Sequence, residues 1–537
     1  MSPKARRRTL SPLKPPVVPP AEPLRPVAAI DIGASAIRLL VAEAGEGGQV
    51  NVLEDLSRAV QLGKDTFTSG RLGAASIEAT LKALEGFRRV IDGYAVVHYR
   101  AVATSAVREA QNRDTFLDRV RLRTAIDVEV IDGSEENRLT YVAVRHALRG
   151  HEALADTDAL LVEVGGGSAD ISYLHHGEPI HSGTYALGSI RMRQSLGSWR
   201  GSQEQRMRLL NRHIHNVVGD IKRSSPLQNA KHFIALGGDI RFAAAQLLGA
   251  EPPATGVATL PRDGLLALCD RIAAEDVDRL VELYQLPVAA AEALGPALMS
   301  YRELLAETAA QQVLVPAASL RLGLLLDIVR QGEGQGGGED LGKQVLASAA
   351  ALGEKYRYDE AHGRNVALLA TRLYDELTVE HGLGARERLL LEVAALLHDV
   401  GNYVNLRNHH KHTQYILSVS EVFGLSQDEM AMVSQVARYH RRGLPQKSHA
   451  GYMALDRESR VVVNKLAAIL RLANALDADH LQKVKDVHIR FEDSVFVIEI
   501  EGAGDLTMER LTAQARSDLM TDVFGRRISL QETGVRA

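Results

Sequence analysis

Short runs of Val, Ile, Leu and Ala, several closed by glycine, alternate through the first 330 or so residues with longer segments whose apolar positions recur every three or four residues. The runs at 27–33, 99–107, 127–133, 159–167 and 232–238 have the length and composition of buried strands, and the segments between them read as helices. Such alternation predicts an α/β fold. From 341 to about 481 the period changes: residues 361–377, 387–401 and 460–476 each keep apolar residues at helical spacing, so this part is expected to be a helical bundle. Residues 484–502 then alternate like a β-hairpin.

Two stretches interrupt the pattern. Residues 1–26 combine Lys4, Arg6, Arg7, Arg8 and Lys14 with many prolines and no apolar period, and are expected to be a disordered tail. Residues 331–340 are rich in glycine and read as a flexible linker.

Composition narrows the function classes. A chain of 537 residues exceeds a single core and implies three or four domains. One cysteine, Cys269, excludes an intrachain disulfide and suits a reducing compartment, so a cytoplasmic location is expected. Apolar runs stay short of a membrane helix, so no membrane association is expected. With 63 basic against 67 acidic residues the net charge of −4 argues against a sequence-specific or general nucleic-acid binder. A polyanionic substrate would need a locally basic cleft.

The most informative pattern is internal. Residues 28–42, around Asp31, are echoed by residues 160–174, around Glu163: apolar strand, acid, one apolar residue, glycine-led turn, second apolar strand. Gly33 aligns with Gly165. Glycine there lets backbone N–H groups converge on a phosphate oxygen, and a nearby carboxylate suits Mg²⁺. Two such hairpins would clamp a phosphate chain from opposite sides. A further glycine site at 235–239, ending in Asp239, follows another strand and fits a wall of the same cleft. Neither hairpin has the glycine spacing of a dinucleotide-binding loop.

These hairpins, with the segments 101–110, 130–138 and 187–191, and 396–401, 409–412 and 437–440 further on, resemble in order and interval the exopolyphosphatase/guanosine pentaphosphatase (Ppx/GppA) family. The resemblance implies a two-lobed ASKHA core (actin, sugar kinase, Hsp70; ribonuclease H-like), followed by an all-α HD-like domain and a small C-terminal β-containing segment. The lobes would span 27–135 and 136–330, the helical domain 341–485 and the last segment 486–537. It also implies Mg²⁺-dependent hydrolysis of a terminal phosphoanhydride, and a homodimer. The substrate would be inorganic polyphosphate, or guanosine pentaphosphate or tetraphosphate.

By the same resemblance Glu136 is the catalytic base; Asp31, Glu163 and Asp170 hold metal; and Gly33, Ser35, Gly165, Gly166, Gly167 and Ser168 cradle phosphate. Arg38, Arg108, Arg138 and Arg191 are candidate phosphate ligands, because guanidinium grips phosphate with two prongs. Glu135 reads as surface charge in the first turn of a helix capped by Ser134.

The family's usual first turn, Gly-Ser-Asn-Ser, is here Gly33-Ala34-Ser35-Ala36, and Glu163, Ala169 and Asp170 stand where Asp, Thr and Glu are usual. These changes leave open a catalytically impaired sensor of polyphosphate or guanosine tetraphosphate. An actin-fold kinase or ATPase would share the hairpins but should add an adenosine site, which Gly237-Gly238 alone does not supply.

In the helical half, His362, His398-Asp399 and Asp477 have the order of an HD-type metal site, with Asn474 at the position of the usual last aspartate. The same histidines also fit a hydrogen-bonded buried cluster that supports packing. His409 to His412, with Arg438, Arg441 and Arg442, are candidates to extend a substrate channel.

Overall fold

The computed structural model describes residues 26–45, 50–155, 157–195, 202–332, 337–441, 443–492, 495–502 and 505–532. The tail up to residue 25 and Arg442 lie outside them. Among the described residues three sheets form, and no helix is long and apolar enough to cross a membrane.

The first sheet has strands β1 (Pro26–Ile32), β2 (Ala36–Ala44), β3 (Val50–Ala59), β4 (His98–Ala103) and β5 (Glu129–Val130), in the order 3-2-1-4-5. The second contains β6 (Ala159–Val164), β7 (Ala169–His175), β8 (Glu178–Tyr185), β9 (His232–Leu236), β10 (Val257–Pro261) and β11 (Gln312–Pro316), in the order 10-11-9-6-7-8. With β10 set aside, it repeats the first sheet strand for strand. In both, the first two connections are antiparallel hairpins and the remaining neighbours pair in parallel. The sequence repeat is therefore a repeat of whole lobes.

β1 is central and covered on both faces, which explains its continuous apolar run. Ile30 and Ile32 face one core, while Val27 and Ala29 face a second core. That second core is completed by Leu320, Leu324, Leu325 and Val329 of the helix Leu320–Gly332, which comes back from the second lobe to cover the first sheet.

The helix Gly133–Ala147 joins the lobes. Leu139 packs with the first sheet and the returning helix, whereas Tyr141, Ala143 and Val144 pack with Leu161, Leu174 and Ile234 of the second sheet. Its N-cap is Asp132, whose carboxylate accepts from the Glu135 amide at 3.0 Å, rather than the expected Ser134. Ser134 donates instead to the Val422 carbonyl of the helical half, at 3.3 Å.

The expected linker is mostly helical. The helices Leu320–Gly332 and Gly337–Lys355 take up its two ends, leaving 333–336 between them outside the described residues. Helix propensity disfavours glycine by only about 1 kcal/mol per residue, and the packing of the neighbouring turns outweighs it.

The helical half and the C-terminal strands share one core. Leu373, Leu397, Val436 and Ile469 of the bundle meet Val487, Phe496 and Ile498 of β12 (Val484–Glu492) and β13 (Val495–Gly502). β12 and β13 form the antiparallel hairpin, and β14 (Arg527–Glu532) adds in parallel to β13.

The crossing of the bridging and returning helices is close enough that a Cβ on Gly323 would stand 2.1 Å from the Leu139 carbonyl oxygen. Gly323→Ala should therefore push the two helices apart, costing about 1–3 kcal/mol in chemical denaturation. The thermal midpoint should fall with it.

Candidate active site: carboxylates between two glycine turns

The two hairpin turns have the same internal bond. The Gly33 amide donates to the Ala36 carbonyl at 3.0 Å, and the Gly165 amide to the Ser168 carbonyl at 2.9 Å. These glycine amides close the turns themselves, so they are not the ones free to meet a phosphate. That position falls to the next residues, Ala34-Ser35 and Gly166-Gly167.

The turns face one another. A Cβ on Gly166 would lie 3.1 Å from Ala34 Cβ, and one on Gly167 would lie 2.1 Å from Ser105 Oγ and 2.5 Å from Phe67. Only glycine permits this approach of the second lobe to the first. Ser35 is exposed and Ser168 buried.

Four acids converge where β1, β6, β7 and the bridging helix end. Asp31 and Glu163 occupy equivalent positions in the two hairpins, and Asp170 holds the place in β7 that Arg38 holds in β2: Asp31 pairs across its hairpin with Arg38, and Glu163 with Asp170. Glu136 enters from the first turn of the bridging helix.

Burial, then the negative charges of Asp170, Glu163 and Asp31, lifts the Glu136 carboxyl well above its ordinary range, against the opposing pull of Arg108. Burial raises Asp170 to about 7, with Glu163 adding to the effect. Asp31 and Glu163 are also raised, first by burial.

Few hydrogen bonds offset this crowding. Arg38 reaches Asp31 at 3.3 Å, Arg108 reaches Glu136 at 3.4 Å, Thr140 donates to Glu163 at 3.0 Å and Thr184 donates to Asp170 at 2.6 Å. Asp239 joins the wall, its carboxyl raised to about 6 by burial while Arg38 pulls it down. The arrangement is a pocket of oxygen donors with more negative than positive charge.

Comparison with known proteins agrees with this core. The profile of the Ppx/GppA phosphatase family matches residues 40–331, and that of domain III of the same phosphatases matches 346–514. The chain belongs to the Ppx/GppA phosphatase family. It is 30% identical over 257 residues to exopolyphosphatase 2 of Mycobacterium tuberculosis, covering 46% of this chain and 79% of that protein.

Among solved structures, the Ppx/GppA family member of Aquifex aeolicus aligns with a TM-score of 0.50 at 23% identity, over 58% of this chain and 100% of that one. An exopolyphosphatase of Cytophaga hutchinsonii aligns with a TM-score of 0.53 at 22% identity, over 57% and 98%. At these identities the likeness establishes the shared fold.

Within this Ppx/GppA core, two expected arginines are engaged elsewhere. Arg138 binds Glu135 at 2.6 Å and Asp327 at 3.0 Å, and Arg100 bridges the same two acids. Arg138 thus ties the bridging helix to the returning helix instead of meeting phosphate, because Asp327 is delivered beside it by the returning helix. Glu135, read as surface charge, is the centre of this network, which holds its carboxyl below the usual range despite burial. Arg191 donates to the Gly167 carbonyl and to Glu109, and lies 4.2 Å over the Phe67 ring, so it clamps the second turn onto the first lobe.

Sequence reasoning missed Thr140, Thr184 and Glu421. Both threonines lack any local signal, being ordinary helix and strand residues. Glu421 belongs to the helical half, which docks on the mouth of the cleft: the Gln427 amide donates to Asp132 at 2.6 Å, and Phe423 packs edge-on to Tyr141. Glu421 keeps a solvent-accessible face, yet protein crowding on its other sides and the charge of Asp132 lift its carboxyl to about 7.

In the helical half the rings of His362 and His398 lie 5.1 Å apart, and His398 Nε2 is 3.7 Å from Asp399. Asp477 does not join them as a metal ligand. Its Oδ2 accepts from His362 Nδ1 at 2.7 Å and its Oδ1 from the Gln482 amide at 2.8 Å, so both oxygens are occupied in orienting the ring and the loop.

The raised Asp170 has a consequence for stability. Its folded pKa lies above the unfolded value, so the folded state holds the proton more tightly, and stability falls as pH rises from about 4 through about 7. In chelator, Asp170→Asn should stabilise the protein by about 3–4 kcal/mol at pH 8 and by less at pH 5, read from denaturation midpoints.

Proposed function

We propose that the cleft is an exopolyphosphatase site that removes the terminal phosphate of inorganic polyphosphate. The observation that carries this reading is the meeting of two glycine turns, one from each lobe, beside four carboxylates contributed by both lobes. The name of the mycobacterial relative supports the substrate class.

The donor set suits Mg²⁺: it is all oxygen, and its acids are pushed upward by burial and then by one another, a strain that a divalent cation would relieve. Asp31, Glu163 and Asp170 are the residues to hold the ion, which when bound neutralises phosphate oxygens.

Glu136 then acts as the base. An elevated pKa makes its carboxylate a stronger proton acceptor than an exposed glutamate, and Arg108 orients it while donating its own second bond to the Ile131 carbonyl at 2.6 Å. The carboxylate takes a proton from water as the water oxygen bonds to the terminal phosphorus. The bridging P–O bond breaks, releasing orthophosphate and a chain one unit shorter. The amides of Ala34-Ser35 and Gly166-Gly167, with Arg38, line the path of the phosphoryl oxygens.

The 5′ phosphoanhydride of guanosine pentaphosphate presents the same bond, so the two substrates are compared side by side with ATP, with and without Mg²⁺. Phosphate release should be fastest with polyphosphate and should require the ion. Glu136→Gln should lower kcat by about 10²–10⁴-fold while polyphosphate binding persists. Undiminished turnover in that variant would remove Glu136 from the chemistry.

A further inference from the structure

A second cluster of titratable groups lies in the core of the helical half, away from the cleft. Asp399 follows the helix Ala385–Leu397, His409 opens the helix His409–Ser418, and His440 follows the helix Gln427–Arg438. Both histidines are buried, at 5% and 0% exposure.

Each ring is fixed through its Nδ1. His409 Nδ1 lies 3.0 Å from the Leu406 carbonyl and His440 Nδ1 lies 2.6 Å from the Ala437 carbonyl. A carbonyl only accepts, so the proton of each neutral ring sits on Nδ1 and Nε2 is left as a bare lone pair. Those two lone pairs nevertheless face each other, 3.1 Å apart. Asp399 Oδ1 stands 3.2 Å from one and 3.3 Å from the other.

Three lone-pair donors packed into a triangle repel one another unless a cation sits at its centre. One added proton would bridge a single edge and leave the other two. Ligands bonded to one metal ion at about 2.0–2.2 Å lie roughly 3.0–3.5 Å apart, and all three edges fall in that range. The Leu406 and Ala437 carbonyls are the outer partners that metal-bound imidazoles ordinarily have.

An independent observation lies on the other side of Asp399. His362 Nε2 and His398 Nε2 are buried without a hydrogen-bond partner, although their Nδ1 atoms are held by Asp477 and by the Ala395 carbonyl at 2.7 Å. The core of the bundle is thus lined by imidazole nitrogens prepared as ligands.

We propose that Asp399, His409 and His440 form a binding site for a divalent transition-metal ion, distinct from the oxygen-lined cleft. Two imidazoles and one carboxylate suit Mn²⁺, Fe²⁺, Co²⁺ or Zn²⁺ better than Mg²⁺. Three protein ligands leave coordination positions for water or a small anion.

The test uses the full-length chain, stripped with chelator and then titrated with Co²⁺. At least one equivalent should bind with the visible absorption of an imidazole-ligated ion, and the thermal midpoint should rise. Glu163→Gln, in the cleft, should retain the absorption; His409→Ala and His440→Ala should each abolish it, with circular dichroism verifying their fold. Wild-type protein that takes up no Co²⁺, Mn²⁺ or Zn²⁺ would overturn the proposal irrespective of how the variants fold, as would unchanged absorption in a folded His440→Ala.

Discussion

The helix Gly133–Ala147 has to satisfy two sheets at once, and that constraint organises the two-lobed half. Leu139 is committed to the first lobe and Tyr141 and Val144 to the second, so the helix has one position and one rotation about its axis that bury all of them. Glu136 projects from its first turn into the space where the two hairpins meet. The ion pairs of Arg138, Glu135, Arg100 and Asp327 fasten the same helix to the returning helix on its far side. The lobes are therefore joined through the element that presents Glu136.

Charge crowding is the counterpart of that rigidity. Four crowded carboxylates, Asp31 and Asp170 buried and Glu136 and Glu163 partly so, destabilise the folded chain, and Arg38, Arg108, Thr140 and Thr184 compensate only partly. Like charges held this close are kept at a cost in stability. Close contact between the glycine turns has the same logic: the absence of side chains at Gly166 and Gly167 brings backbone amides of one lobe against the other.

The helical half meets the two-lobed half through the helix Gly337–Lys355, which packs on β8, and through a segment that reaches the cleft. Its 420–427 segment reaches the N-terminus of the bridging helix through Val422, Phe423 and Gln427, and brings Glu421 near Asp170 and Arg108. Its own histidine-lined interior belongs to a separate core. A single chain thus holds an oxygen-rich cluster between lobes and a nitrogen-rich one within a bundle, two donor sets of different chemistry.

Local pattern alone was sufficient for the repeated strand-turn-strand units, the acid that ends each first strand, the switch to helical periodicity at 341 and the β-hairpin at 484–502. Each follows from period and turn chemistry within a few residues, which is information the chain carries in order. Tertiary structure decided which arginine does what, since Arg108 and Arg138 look alike until Asp327 arrives beside one and Glu136 beside the other. It also decided that Asp477 orients His362, that His409 and His440 close on Asp399, and that Glu421 stands by the cleft next to Val422, whose contact with Ser134 spans 288 residues of sequence. These outcomes depend on the approach of distant segments, and a side chain's partner across such a distance is set by packing rather than by its neighbours in sequence.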